Sequence, residues 1–193
     1  MKILIVATFN PHKIEEIKAI LPGLPFELKS LAGLAGAVPA PEDGETFEAN
    51  AHIKAAAAAA FSGCLALADD SGLEVDALGG APGVRSARYA GEGCSYADNN
   101  ARLLQELAEV PDGKRSARFI CVAALVRPGG ASVLKRGVLE GVITRAPRGS
   151  GGFGYDPLFE VRGTGLTLAE MSSPGKNQLS HRGAALRAMR PEL

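Results

Sequence analysis

Apolar positions along the chain follow two periods, and the changes from one to the other mark out the elements. Lys2 to Ala7 is apolar without alternation, the pattern of a strand buried on both faces. Ile14, Ile17, Ala19, Ile20 and Leu21 then recur at helical spacing, with Asn10 placed as N-cap and Pro11 in the first turn. Phe26 to Leu31 predicts a short second strand, followed by a Gly-, Ala- and Pro-rich loop. Thr46 to Ser62 contains a run of alanines and predicts a helix that stops near Gly63. Leu65-Ala66-Leu67-Ala68 reads as a buried third strand that ends at Asp69-Asp70. Asp98 to Leu107 is amphipathic through Leu103, Leu104 and Leu107. Ala117 to Val126 and Val133 to Ile143 read as long strands joined by a hairpin turn at Arg127-Pro128-Gly129-Gly130. Alternation at Val138, Glu140 and Val142 gives the second of these one wet face, which argues against a purely parallel sheet. Thr167 to Met171 predicts a short helix. Lys176 to Arg182 opens the last one, with Arg182, Leu186 and Met189 on one face. The class is α/β, a single domain over residues 1–193 with room for two lobes.

Composition removes several function classes. Lys plus Arg and Asp plus Glu both number 21, so no global basic field exists to attract duplex nucleic acid or an anionic membrane. Cys64, Cys94 and Cys121 are odd in number and far apart, which fits neither a disulfide framework nor a zinc site. Each is expected as a small buried hydrophobe in a reducing compartment. The N-terminal apolar run is too short for a signal peptide and no stretch is long enough to span a bilayer, so a cytoplasmic location is expected.

Polar residues at the element ends carry the candidate chemistry. Burying a carboxylate costs several kcal/mol, about what only a cation or several donors can offset, so a core strand that runs into Asp69-Asp70 calls for compensation. Ligands of open α/β sheets bind at the carboxyl ends of strands. Successive strand residues face opposite ways, so one Asp would hold a metal or activate a water while the other is tied up in hydrogen bonds. Asp-Asp-Ser-Gly also suits a solvated turn. Lys13 in the first turn of the first helix joins exposed N–H groups to make an anion site, or is an ordinary surface lysine. Asn50 and Lys54 share a helix face, which could be solvated. Glu42 lies in an acidic loop able to reach toward Asp70 or simply to favour the helix dipole. In Gly149 to Pro157, glycines permit close backbone approach, Phe153 and Tyr155 offer stacking faces and Asp156 an acceptor. His181 beside Arg182, with Lys176 shortly before, forms a dense donor cluster. Lysines for phosphate, carboxylates for a metal and a ring for stacking suit a polyphosphate with a flat base.

Six motifs then occur in order: Thr8-x-Asn10-x-x-Lys13-x-x-Glu16, Gly44-x-Thr46-Phe47-x-x-Asn50-Ala51-x-x-Lys54-Ala55, Ala68-Asp69-Asp70-Ser71-Gly72-Leu73, Gly79-Gly80-Ala81-Pro82-Gly83, Gly152-Phe153-Gly154-Tyr155-Asp156-Pro157 and Ser180-His181-Arg182. Together they resemble the Ham1/inosine triphosphate pyrophosphatase family over essentially the whole chain. The resemblance implies an elongated mixed β-sheet flanked by helices, in two lobes with the active site in the cleft between them. It implies Mg²⁺-dependent hydrolysis of XTP, ITP and dITP to the monophosphate and pyrophosphate, which cleanses the nucleotide pool, by a cytoplasmic homodimer with no nucleic-acid polymer or membrane as partner. By position, Thr8, Phe9, Asn10, Pro11, His12 and Lys13 would hold the triphosphate with Lys54. Asp70 would be general base and metal ligand, Glu42 a second metal ligand, and Ser71 a substrate contact. Phe153, Gly154, Tyr155, Asp156, Lys176, His181 and Arg182 would line the nucleotide pocket. A 6-keto purine would offer an acceptor to Arg182 or His181, so Arg182→Ala is expected to weaken discrimination against ATP. Family members often carry Glu directly before the Asn of the second motif, where this chain has Ala49. Glu48 is turned about 100° away on a helix and does not simply replace that ligand. A Maf-like pyrophosphatase for modified pyrimidine nucleotides shares the general architecture. A non-catalytic nucleotide-binding module would have no need of a water-activating acid.

Overall fold

The computed structural model describes residues 2–193, with the side chains of Pro11 and His12 outside that description. The elements follow the apolar pattern closely. Strand β1 (Lys2–Val6) leads into helix α1 (Pro11–Ile20) and strand β2 (Phe26–Ser30). Helix α2 (Phe47–Ser62) is capped by the Thr46 hydroxyl, which accepts from Ala49 N, and ends at Gly63 in the left-handed region. Glycine reaches φ 66° there without a Cβ penalty. Strand β3 (Leu65–Val75) precedes helix α3 (Tyr96–Glu106), whose Ser95 and Asp98 form a reciprocal capping box. Strands β4 (Ser116–Val126) and β5 (Ser132–Ile143) are joined by the expected turn, in which Gly130 N donates to Arg127 O at 3.0 Å. A short strand β6 (Phe159–Val161), helix α4 (Ser173–Leu179) and helix α5 (His181–Met189) complete the chain.

The six strands form one mixed sheet in the order β2-β1-β3-β4-β5-β6. β1 runs parallel to both β2 and β3, whereas β5 and β6 are antiparallel. The chain divides into two compact units. The first comprises Met1–Asp70, Cys121–Gly137 and His181–Leu193, and the second Ser71–Ile120 and Val138–Ser180. In the first unit, Leu4 and Val6 of β1, Leu67 of β3 and Leu125 of β4 pack with Ile17 of α1 and with Leu186 and Met189 of α5. Its helices thus cover a sheet whose strands are apolar on both faces. In the second unit, Leu73, Val75, Leu103, Leu107 and Leu158 surround the Phe119 and Phe159 rings, whose centroids lie 4.7 Å apart.

Four expectations need correction. The third strand does not end at Asp69-Asp70 but continues through them to Val75, because ion pairs compensate both carboxylates. Helical structure at 167–171 is a single 3-10 turn, Leu168–Glu170. The last helix is two helices, broken at Ser180, whose extended backbone (φ −61°, ψ 149°) places Lys176 in the second unit and Arg182 in the first. Only Cys121 is buried; Cys64 and Cys94 are half-exposed.

Candidate active site

β1 stops at Val6, in register with Leu67, while β3 runs on into Asp69 and Asp70. The chain leaves β1 toward β2 on one side and later returns as β3 on the other. The carboxyl end of β1 is therefore a topological switch point, where open sheets leave a crevice. Thr8 opens the connection and is buried. Its Oγ1 accepts from Asn10 N at 3.1 Å, and its carbonyl accepts from Ser30 Oγ at 2.8 Å, which ties the loop to the end of β2. A cavity of about 340 Å³ lies here, walled by Thr8, Asn10, Lys13, Glu42, Lys54 and Asp69, and by the half-exposed ring of Phe9. That volume lies within the range of small-molecule sites.

The two aspartates have different partners, as strand alternation requires. Asp69 Oδ2 accepts from Lys13 Nζ at 3.2 Å and from Arg182 Nη2 and Nε at 3.1 and 3.2 Å. Arg182 in turn donates through Nη1 to Glu16 at 2.6 Å. Burial alone would push the Asp69 carboxyl up, but the Lys13 ammonium and the Arg182 guanidinium outweigh it and hold it far below the usual carboxylate range. Asp70 Oδ1 accepts from Lys54 Nζ at 2.6 Å. Burial pushes its carboxyl up, and the pull of Lys54 does not fully cancel that push. Asp69 is thus a fixed anion that anchors cations, and Asp70 is the carboxylate for which the proton-bound form is easier to reach.

Lys54 also donates to Glu42 Oε1 at 3.1 Å, so one ammonium bridges two carboxylates from different segments. Glu48 is committed elsewhere, to Arg136 on β5 at 2.8 Å, as the helical turn between positions 48 and 49 anticipates. Among the described residues, no group of three or more His, Cys, Asp or Glu side chains is arranged to hold a metal.

A second arrangement lies within the other unit. Asp156 is buried, and its Oδ2 accepts from Phe153 N at 2.8 Å and from Lys176 Nζ at 2.6 Å. Lys176 Nζ stands 4.5 Å from the centre of the Phe153 ring, the Tyr96 ring centre lies 6.3 Å from it, and the residue is 43% exposed. Gly152 has φ 74°, and a Cβ there would lie 2.0 Å from Asp156 Oδ2, so the loop closes around the carboxylate only with glycine. Tyr155, expected as a second stacking face, is instead a core residue whose hydroxyl donates to Ser86 O at 2.8 Å. Its ring follows the strict burial of the surrounding leucines, which the glycine-rich local sequence does not reveal.

The structure brings Thr8, Phe9, Asn10, Lys13, Glu42 and Lys54 together, with Asp69 and Asp70 beside them. The Pro11 and His12 side chains lie outside the described residues. Ser71 follows Asp70 on β3 and is half-buried. Phe153, Gly154 and Asp156 form one loop beside Lys176, whereas His181 and Arg182 are buried at the start of α5 in the first unit. Three contributors carried no assigned role. Glu16 lies three residues after Lys13 and so shares its helix face, a signal available in the spacing. Asn50 is buried rather than solvated. Asn100 of α3 donates to Gly154 O at 3.0 Å, a contact with no sequence signal.

A mixed sheet whose switch point opens on a cavity walled by lysines and paired carboxylates defines an α/β protein with a charged small-molecule cavity at its strand ends. The Ham1 family model matches residues 4–192, and the chain belongs to that family. It is 54% identical over 190 residues to a dITP/XTP pyrophosphatase of Geobacter sulfurreducens, covering 98% of this chain and 96% of the relative. A Ham1 protein from Coxiella burnetii superposes with a TM-score of 0.92 at 42% identity, covering 100% and 98% of the two chains. The nucleoside-triphosphatase, dITP/XTP pyrophosphatase, of Mycobacterium abscessus does so with 0.82 at 44% identity, covering 99% and 100%.

Proposed function

We propose that this protein hydrolyses dITP, XTP and ITP to the nucleoside monophosphate and pyrophosphate with Mg²⁺, and so clears these nucleotides from the pool. The observation that carries the reading is the convergence of Glu42 and Asp70 on a single cation, the Lys54 ammonium, beside the cavity. Two carboxylates about one point suit a hard divalent ion that takes its remaining ligands from phosphates and water. Glu42 and Asp70 would hold that ion; when bound, it neutralises phosphate charge and polarises the phosphorus.

The chain's own residues supply the rest. Lys13 and the backbone of Thr8 to Lys13 bind the phosphates, with the lysine aimed by its bond to Asp69. Substrate phosphate competes for the Lys54 ammonium and draws it from Asp70, which leaves the carboxylate able to accept a hydrogen bond from water. Asp70 takes the proton as the water oxygen bonds to the α-phosphorus. The bridging P–O bond to the β-phosphate breaks, and Lys13 and Lys54 stabilise the charge on the departing pyrophosphate. Phe153 stacks on the base. Lys176 beside that ring offers a donor that selects a 6-keto acceptor over the adenine amino group, which would leave the donor unpaired. A homodimer and a cytoplasmic location belong to the same reading; among the described residues no helix is long and apolar enough to cross a membrane.

Pyrophosphate release from ITP, XTP, dITP, GTP, ATP and dTTP, with Mg²⁺ and with EDTA, tests this. Fast turnover restricted to the first three and abolished by EDTA is expected. Nucleotide binding without turnover would indicate a binding module, and turnover of pyrimidines alone would remove the assigned base pocket. Phe153→Ala is expected to raise the KM for ITP by roughly tenfold, the worth of one base-stacking contact, with a smaller effect on kcat. An unchanged KM would exclude the ring from the base site.

A further inference from the structure

Asn50 belongs to a motif shared with the family, yet the reaction above gives it nothing to do. Its residue is 1% exposed, in the first turn of α2 and one turn before Lys54. Its Oδ1 accepts from Gly44 N at 2.8 Å. Gly44 sits so close to the helix that a Cβ would lie 2.7 Å from Asn50 Oδ1, 2.8 Å from Ala49 Cβ and 3.1 Å from Asn50 N. Such an approach admits glycine alone, and the amide oxygen pins its backbone two residues after Glu42. Gly44 N on Asn50 and Glu42 Oε1 on Lys54 Nζ both fasten the acidic loop to α2. The Lys54 contact is ionic, and substrate phosphate competes for it. When Lys54 turns to phosphate, the Asn50 bond still ties the backbone two residues after Glu42 to the helix.

We infer that Asn50 is a positioning residue for Glu42: its side-chain oxygen holds the loop that presents this carboxylate to a divalent cation. The inference rests on the reading of Glu42 as a cation ligand. Partners that orient a metal ligand typically change metal affinity by 10–100-fold when removed. Asn50→Ala is therefore expected to raise the Mg²⁺ concentration for half-maximal ITP turnover by roughly tenfold or more, with kcat at saturating Mg²⁺ and KM for ITP little changed. Binding of Mn²⁺ alone, followed by electron paramagnetic resonance without nucleotide, should weaken in parallel. Asn50→Asp keeps an acceptor for Gly44 N but exchanges an amide donor that has no partner among the described residues for a buried negative charge. It should bind Mn²⁺ more tightly than Asn50→Ala, and equal weakening in the two variants would count against the inference.

Glu42→Ala is measured alongside. If it leaves Mg²⁺ dependence and Mn²⁺ binding unchanged, the reading of Glu42 fails and the inference falls with it. If it shifts both while Asn50→Ala shifts neither, the inference alone is overturned. Should Asn50→Ala not fold, hydrogen exchange in the wild-type protein decides. A Gly44 amide protected like the amides inside α2, with and without Mg²⁺ and a non-hydrolysable ITP analogue, supports the inference. Exchange at the rate of an unprotected loop overturns it.

Discussion

Asp70→Asn is expected to lower kcat for ITP by about 10²- to 10⁴-fold, the range of a lost general base, with a melting temperature close to that of the wild type. The two halves of the expectation have the same source. Burial raises the Asp70 carboxyl against the pull of Lys54, so the folded protein holds this charge at a cost. The amide has the same shape and no charge to desolvate. Lys54 keeps Glu42 as a partner at 3.1 Å, so no buried ammonium is left alone. At saturating Mg²⁺ substrate affinity should not suffer, because Lys54 is then freer to turn to phosphate, whereas the Mg²⁺ requirement should rise with the loss of a carboxylate ligand. Pyrophosphate release and a thermal melt on the same preparation measure both halves. Activity within a few-fold of wild type would remove Asp70 as the base. A collapse of the fold would mean that its pairing with Lys54 is structural, and the loss of rate would then say nothing about proton transfer.

The apolar periods gave most elements to within a residue or two, because strands buried on both faces and an alanine-rich helix leave little ambiguity. The strand through Asp69 and Asp70 escaped them. Its continuation depends on Lys13 and Arg182, 56 and 113 residues away along the chain, and no local window contains those partners. The break at Ser180 was hidden for a similar reason: local propensity favours one helix from Lys176 onward, and the backbone of Ser180 departs from it where the chain passes between units. Candidate site residues were legible as polar groups at element ends. Their partners were not. Strand alternation says that the two Asp face different ways and the resemblance assigns Asp70 to the chemistry, but Lys13 and Arg182 on Asp69 and Lys54 on Asp70 are visible only in the fold. Asn50 shows the same limit, since a polar residue beside a lysine on a helix reads as solvated until the Gly44 backbone is seen against it.

Arg182→Ala is expected to destabilise the protein by about 3–5 kcal/mol, the cost of removing one partner from a buried ion pair. Arg182 is 3% exposed, and three of its donor contacts go to carboxylates, two to Asp69 and one to Glu16. Truncation takes from Asp69 the guanidinium that meets it at 3.1 and 3.2 Å, and from Glu16 its 2.6 Å partner. For a chain of this size, 1 kcal/mol moves the melting temperature by about 2–4 °C, so a drop on the order of 10 °C should be visible in a thermal melt. The pH dependence should change as well. The wild-type carboxyl of Asp69 is held far below its usual range, so its contribution to stability is present above about pH 4, near the unfolded value, and declines as pH falls below it toward the folded one. With the guanidinium gone the folded value rises, and the variant should lose less stability over that acid window than the wild type does. These readouts separate two roles for the same side chain. An arginine that only anchors Asp69 and aims Lys13 would, when truncated, weaken the handling of phosphate for every nucleotide alike, and the ratio of ITP to ATP turnover would hold. An arginine that also reads the 6-keto oxygen would lose that ratio at temperatures where the variant is still folded. A variant with unchanged melting temperature and acid profile would show that the buried cluster does not carry the stability assigned to it.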